Sequence, residues 1–152
     1  MIDQNRFFRF EMDFVEGLRC IPMIVRYRLD CVGIKLKLHH WNQLSVSERL
    51  ALVDHPFESD DDRLDYRQQL RQWVEARSGE FPSDLPVEAS PLWTELAVPS
   101  VVQQKAASQR VEITNQQWQT LSLLQRFALI KLSKIGHENQ NFLPALREFG
   151  LL

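Results

Sequence analysis

Apolar residues recur at helical spacing over most of this chain, and alternation is confined to a few short stretches. Residues 6–12 place Phe8 and Phe10 irregularly ahead of Phe14, a pattern open to strand or short helix. Ile24, Val25, Leu29 and Val32 then define one face of a helix that has Pro22 in its first turn and is closed by Gly33. IKLKL alternates and reads as a short extended piece before Trp41. Ser45 and Glu48 form a capping box that starts a helix running to about Asp54, and Pro56 stops it. Ser59 followed by Asp60, Asp61 and Asp62 opens the next helix, with acidic groups at the positive end of its dipole. Tyr66, Leu70, Trp73, Val74 and Arg77 share one face of it, Arg63, Arg67 and Arg71 line another, and Gly79 ends it.

Residues 80–99 hold four of the seven prolines and no sustained period, so they read as a long surface connection. A short helix follows over residues 101–110. Ser122 and Gln125 make a second capping box, and residues 123–135 carry eight apolar positions out of thirteen, as in a helix enclosed by others. Asn141 is placed to cap NFLPALREF, and Gly150 to close it. These elements predict an all-α protein: one compact domain over residues 1–152, about six helices, and little or no strand.

One phrase occurs twice. WNQLSVSERLALV (residues 41–53) and WQTLSLLQRFALI (residues 118–130) align at a constant offset of 77, with tryptophan, leucine, serine, arginine, alanine and leucine coincident. Two explanations are open: a duplicated helix start and core face with no further meaning, or a pseudo-twofold site in which Arg49 and Arg126 converge on an acidic ligand.

At 44% hydrophobic, a chain of 152 residues can bury a sizeable core without staples. Cys20 and Cys31 lack the number and spacing of a disulfide framework, zinc site or CxxC pair, which suits a reducing cytoplasm. No apolar run approaches the roughly 20 residues of a membrane span, and a net charge of −2 offers nothing for nucleic acid. The charge is uneven: +2 over residues 1–40, −7 over 41–100 and +3 over 101–152.

Candidate chemistry is sparse. GHENQNF (residues 136–142) gathers His137, Glu138, Asn139 and Asn141, yet a corner between two helices accounts for each residue, and HEN is not the HExxH spacing that presents two imidazoles to a metal. His39, His40 and His55 show no convergent pattern with other ligands, so no metal or cofactor is expected. Cys20, beside Arg19 and just ahead of Pro22, is the candidate for a reactive thiol, with a buried inert cysteine as the commoner outcome. No nucleophile triad, phosphate loop or dinucleotide fingerprint is present, and no enzyme activity is expected.

LRCIPMIVRYRLDCVGIKLKL (residues 18–38), the WNQLSVSERLAL that follows, and LQRFALIKLSKIGHENQNFLPALREFGL (residues 124–151) together resemble the nitrate reductase-associated protein family, which is small and largely cyanobacterial. Residues 56–117 match it only in layout. The resemblance implies a cytoplasmic, chaperone-like maturation factor for assimilatory nitrate reductase, a molybdenum and iron-sulfur enzyme, with the reductase polypeptide as its partner and no catalysis of its own. On the same footing Arg126, His137, Glu138, Asn139 and Asn141 are candidates for a partner-facing surface. The alternative is a carrier of a small anion or of the molybdenum cofactor, held between the two W-x-x-L-S-x-x-x-R helices.

Overall fold

The computed structural model describes residues 6–134 and 140–152, and it is mainly helical. The chain divides into two compact units, one of Met1–Phe7 with Glu11–Val87 and the other of Phe8–Phe10 with Glu88–Leu152.

A 3₁₀ turn at Arg9–Glu11 leads into α1 (Met12–Val15) of the first unit, which settles the ambiguity of residues 6–12 in favour of helix. The buried Glu11 carboxylate accepts from Met23 N at 3.0 Å and so supports the start of α2 (Met23–Val32). Pro22 is the residue flanking that helix, with φ −66° and ψ 156°, rather than part of its first turn. Val25, Leu29 and Val32 are buried as their spacing predicts, together with Met23, whereas Ile24 is partly exposed. The alternation of IKLKL yields only β1 (Ile34–Lys35), after which the chain turns into α3 (Leu38–Gln43). α4 (Val46–Asp54) and α5 (Asp60–Ser78) follow, each with both reciprocal bonds of its capping box in place, at Ser45/Glu48 and Ser59/Asp62. Tyr66, Leu70 and Val74 of α5 are fully buried against Trp41, Leu52 and the α2 face. β2 (Ser83–Asp84) pairs antiparallel with β1, Ile34 opposite Asp84 and Lys35 opposite Ser83, so the proline-rich connection begins with a strand.

In the second unit a 3₁₀ turn at Leu92–Thr94 precedes α6 (Ser100–Ser108), α7 (Asn115–Thr120), α8 (Leu123–Ser133) and α9 (Phe142–Glu148). α8 is enclosed as its composition predicts: Phe127, Ala128, Leu129 and Leu132 have no exposure, and the helix packs on α6, α9 and the 3₁₀ turn. Phe8, Phe10 and Phe149 cluster beside α9, where Glu148 accepts from the amides of Arg9 and Phe10 at 3.0 Å each. Nine α-helices appear among the described residues against about six predicted. The additional ones, α1, α3 and α7, span four to six residues, too few to display a period.

Gly33 closes α2 in the left-handed region at φ 73°, and its carbonyl accepts from Leu85 N at 2.8 Å. A Cβ there would lie 2.7 Å from Leu85 O and 2.7 Å from Val87 Cγ2. Gly79 has nearly the same φ, 74°, and open space around it. Gly33→Ala should therefore lose clearly more stability in urea titration than Gly79→Ala, for which only the left-handed penalty of about 1–2 kcal/mol applies.

Candidate functional site

The repeated phrase folds twice into the same object. α3 and α7 are six residues long; near their ends Trp41 O and Trp118 O accept from the flanking Leu44 N and Leu121 N at 3.1 Å each, followed by the carbonyls of Asn42 and Gln119. Arg49 reaches back from α4 to bond the carbonyls of the first helix as well, Nε to Trp41 O at 3.0 Å and Nη2 to Asn42 O at 2.8 Å. Arg126 does the same from α8, with 3.1 Å to Trp118 O and 3.1 Å to Gln119 O. Each guanidinium also sits over its tryptophan ring, at 5.8 Å and 5.9 Å from the centroid. The indole N–H donors go to Leu18 O (2.7 Å) and Glu95 O (3.0 Å), residues that are themselves 77 apart.

The correspondence extends well beyond the repeated phrase, over residues 21–54 and 98–131. Pro22 and Pro99 flank α2 and α6, Val25 and Val102 are buried at the same place, and Leu52/Leu129 and Val53/Ile130 face inward together. At the position of Gly33 stands Arg110, which takes φ 59° without the freedom of glycine. The third guanidinium bond differs between copies: Arg49 Nη1 donates to Leu18 O at 3.1 Å, Arg126 Nη1 to Trp93 O at 3.2 Å. Leu18 thus receives both indole and guanidinium, and it too is held at a positive φ, 59°.

This geometry revises the predicted site. Arg126 is 8% exposed with three donors committed to carbonyls, so it is a brace of the fold rather than a partner-facing group. The carrier reading required Arg49 and Arg126 to converge on one ligand; each is instead engaged by the backbone of its own unit. Asn141 flanks α9 at φ −92° and ψ −2° without a side-chain cap bond, so the predicted capping role is not taken up. His137, Glu138 and Asn139 lie outside the described residues.

The first unit carries a cleft of about 570 Å³ beside the α4–α5 turn, lined by Tyr27, Arg28, Asp54, His55, Phe57 and Glu58 among others. Arg28 and Arg63 each stand 5.1 Å from the Phe57 centroid, and Arg28 also donates to Leu52 O at 3.0 Å. Arg6 pairs with Asp54 at 3.1 Å. Burial pushes the Tyr27 phenol up to about 12, helped by Cys31 one turn away. Burial likewise raises the Cys31 thiol, and both cysteines are free and partly buried, Cys20 in the segment before Pro22.

Histidines without a visible pattern in the sequence do meet a third ligand in space. His40 is 2% exposed with Nε2 2.9 Å from Glu80 Oε2, and the exposed His39 sets its Nε2 3.5 Å from the same oxygen. Those two hydrogen bonds, that from His40 foremost, hold the Glu80 carboxyl below its ordinary range. With His40 and Glu80 40 positions apart, no local spacing could have announced the cluster.

Arg126→Lys keeps the charge but cannot span three carbonyls. Equilibrium urea unfolding should show a loss of about 2 kcal/mol or more, whereas a surface arginine serving only a partner would leave stability unchanged.

No curated protein and no solved structure matches the chain. The family described as conserved nitrate reductase-associated protein matches residues 7–149, a span that takes in both units and both copies of the tryptophan–arginine junction. The chain belongs to the nitrate reductase-associated protein family.

Proposed function

We propose that this protein is an accessory factor for nitrate reductase that binds the reductase polypeptide during maturation and carries out no chemistry of its own. The observation that carries this reading is the family match over nearly the whole chain. The architecture is consistent with it. The two conspicuous arginines are committed to backbone carbonyls, which leaves recognition to the surface. That surface offers apolar anchors in both units: Val46 and Leu123, at equivalent positions of the repeat, are 57% and 43% exposed, and Leu96 is 67% exposed. Exposed apolar side chains of this kind suit contact with an incompletely folded or open polypeptide. No helix among the described residues is long and apolar enough to cross a membrane.

Deleting the gene and assaying reductase polypeptide and reductase activity separately tests the proposal. The expected outcome is polypeptide close to its normal level with activity largely lost, and capture of the cofactor-free reductase by the purified protein. Normal activity in the deletion strain, or a fall in polypeptide that accounts for the whole fall in activity, would rule out a maturation role.

A further inference from the structure

The two copies of the repeat differ at one place in a way that changes chemistry. In the second copy α7 is opened by a complete capping box: Thr114 Oγ1 accepts from Gln117 N at 3.1 Å, and Gln117 Oε1 accepts from Thr114 N at 3.0 Å. The equivalent residues 77 positions earlier are Lys37 and His40, and Gln116 corresponds to His39. Lysine has no side-chain acceptor, so α3 has no such cap, and the side chain of His40 is released from that duty. It turns instead toward the residue that follows the left-handed end of α5.

There it meets ligand-type atoms at coordination spacing. One ring nitrogen from each of His39 and His40 and a Glu80 carboxylate oxygen all lie within 4.8 Å of one another, and the two Nε2 atoms stand 3.5 Å and 2.9 Å from Glu80 Oε2. Around a tetrahedral ion with bonds of about 2.0–2.1 Å, ligand atoms stand roughly 3.3–3.4 Å apart. The two nitrogen–oxygen separations bracket that figure. It is also held from behind: burial fixes the His40 ring, and the Glu80 amide donates to Ser78 Oγ at 3.1 Å, which itself donates to Val74 O at 2.6 Å. Glu80 and His39 remain more than half exposed, which leaves a path for an ion to enter.

We propose that His39, His40 and Glu80 bind a first-row divalent cation, with zinc the best match, joining α3 to the end of α5. Two imidazoles and one carboxylate are the donor set of open zinc sites, in which water or a group from outside fills the fourth position. His40 Nδ1 has no hydrogen-bond partner among the described residues. Ligation through Nε2 places the imidazole proton on that nitrogen, so affinity should fall short of sites whose histidines are backed by an acceptor.

The test is titration of the metal-stripped full-length protein with Zn²⁺ by calorimetry and with Co²⁺ by visible absorption. One ion per chain is expected, with a Co²⁺ spectrum of tetrahedral or five-coordinate type. His39→Ala and Glu80→Gln alter exposed side chains and should leave the circular dichroism unchanged while weakening binding tenfold or more. Cys20→Ser and Cys31→Ser should bind as the unsubstituted protein does. Absence of stoichiometric binding, equal affinity in His39→Ala and Glu80→Gln, or loss of binding in a cysteine variant would each overturn the proposal.

Discussion

A short helix has few internal bonds to hold its end, and in this protein a single guanidinium reinforces the carbonyls there beside the flanking amide. Arg49 and Arg126 each take two such carbonyls from the preceding helix, a third from a 3₁₀ or adjoining turn, and the face of a buried tryptophan. One planar group with donors on three nitrogens fixes where two helices and a turn meet, which a lysine ammonium cannot do. Because the acceptors are backbone atoms, the junction tolerates change in the side chains around it. That is why the same joint survives in two halves whose other residues differ.

Divergence between the halves follows from what each position must do. Trp41 and Trp118 have no exposure, and their indole N–H groups need acceptors, so both recur with carbonyls supplied from positions 18 and 95. The residue closing the first helix is free to be Arg110 in the second copy, but in the first copy Leu85 and Val87 crowd Gly33 and exclude any Cβ. The third helical position of α3 and α7 differs in kind, since a cap is one of several ways to begin a helix. It is there that glutamine has been exchanged for the imidazole facing Glu80.

On the proposed reading, function in such a scaffold falls to the exterior. The charged groups that look most like chemistry in the primary structure are braces: Arg49 and Arg126 on carbonyls, Arg67 on Val32 O and Asp84, Arg77 on the capping carboxylate of Glu48. The groups left over are exposed apolar side chains, the cleft at Phe57, and the histidine pair beside Glu80. This distribution is compatible with the proposed accessory role, in which recognition rests on the surface.

Local signals determined the long elements. Capping boxes at Ser45, Ser59 and Ser122, together with the glycines after α2 and α5, act within a single turn and so are written in consecutive residues. The repeat was visible as well, because identical side chains at constant offset need no geometry to be recognised. Its meaning was not: a guanidinium facing a ligand and one facing three carbonyls have the same letter, and only the approach of α4 to the end of α3 decided between them. The helices α3 and α7 are too short for periodicity; α7 opens on a local capping box at Thr114 and Gln117, α3 has none, and a guanidinium from the next helix braces the end of each. The meeting of His39 and His40 with Glu80 depends on α3 packing against α5. Contacts across 40 residues arise from the packing of whole elements, and no spacing along the chain encodes them.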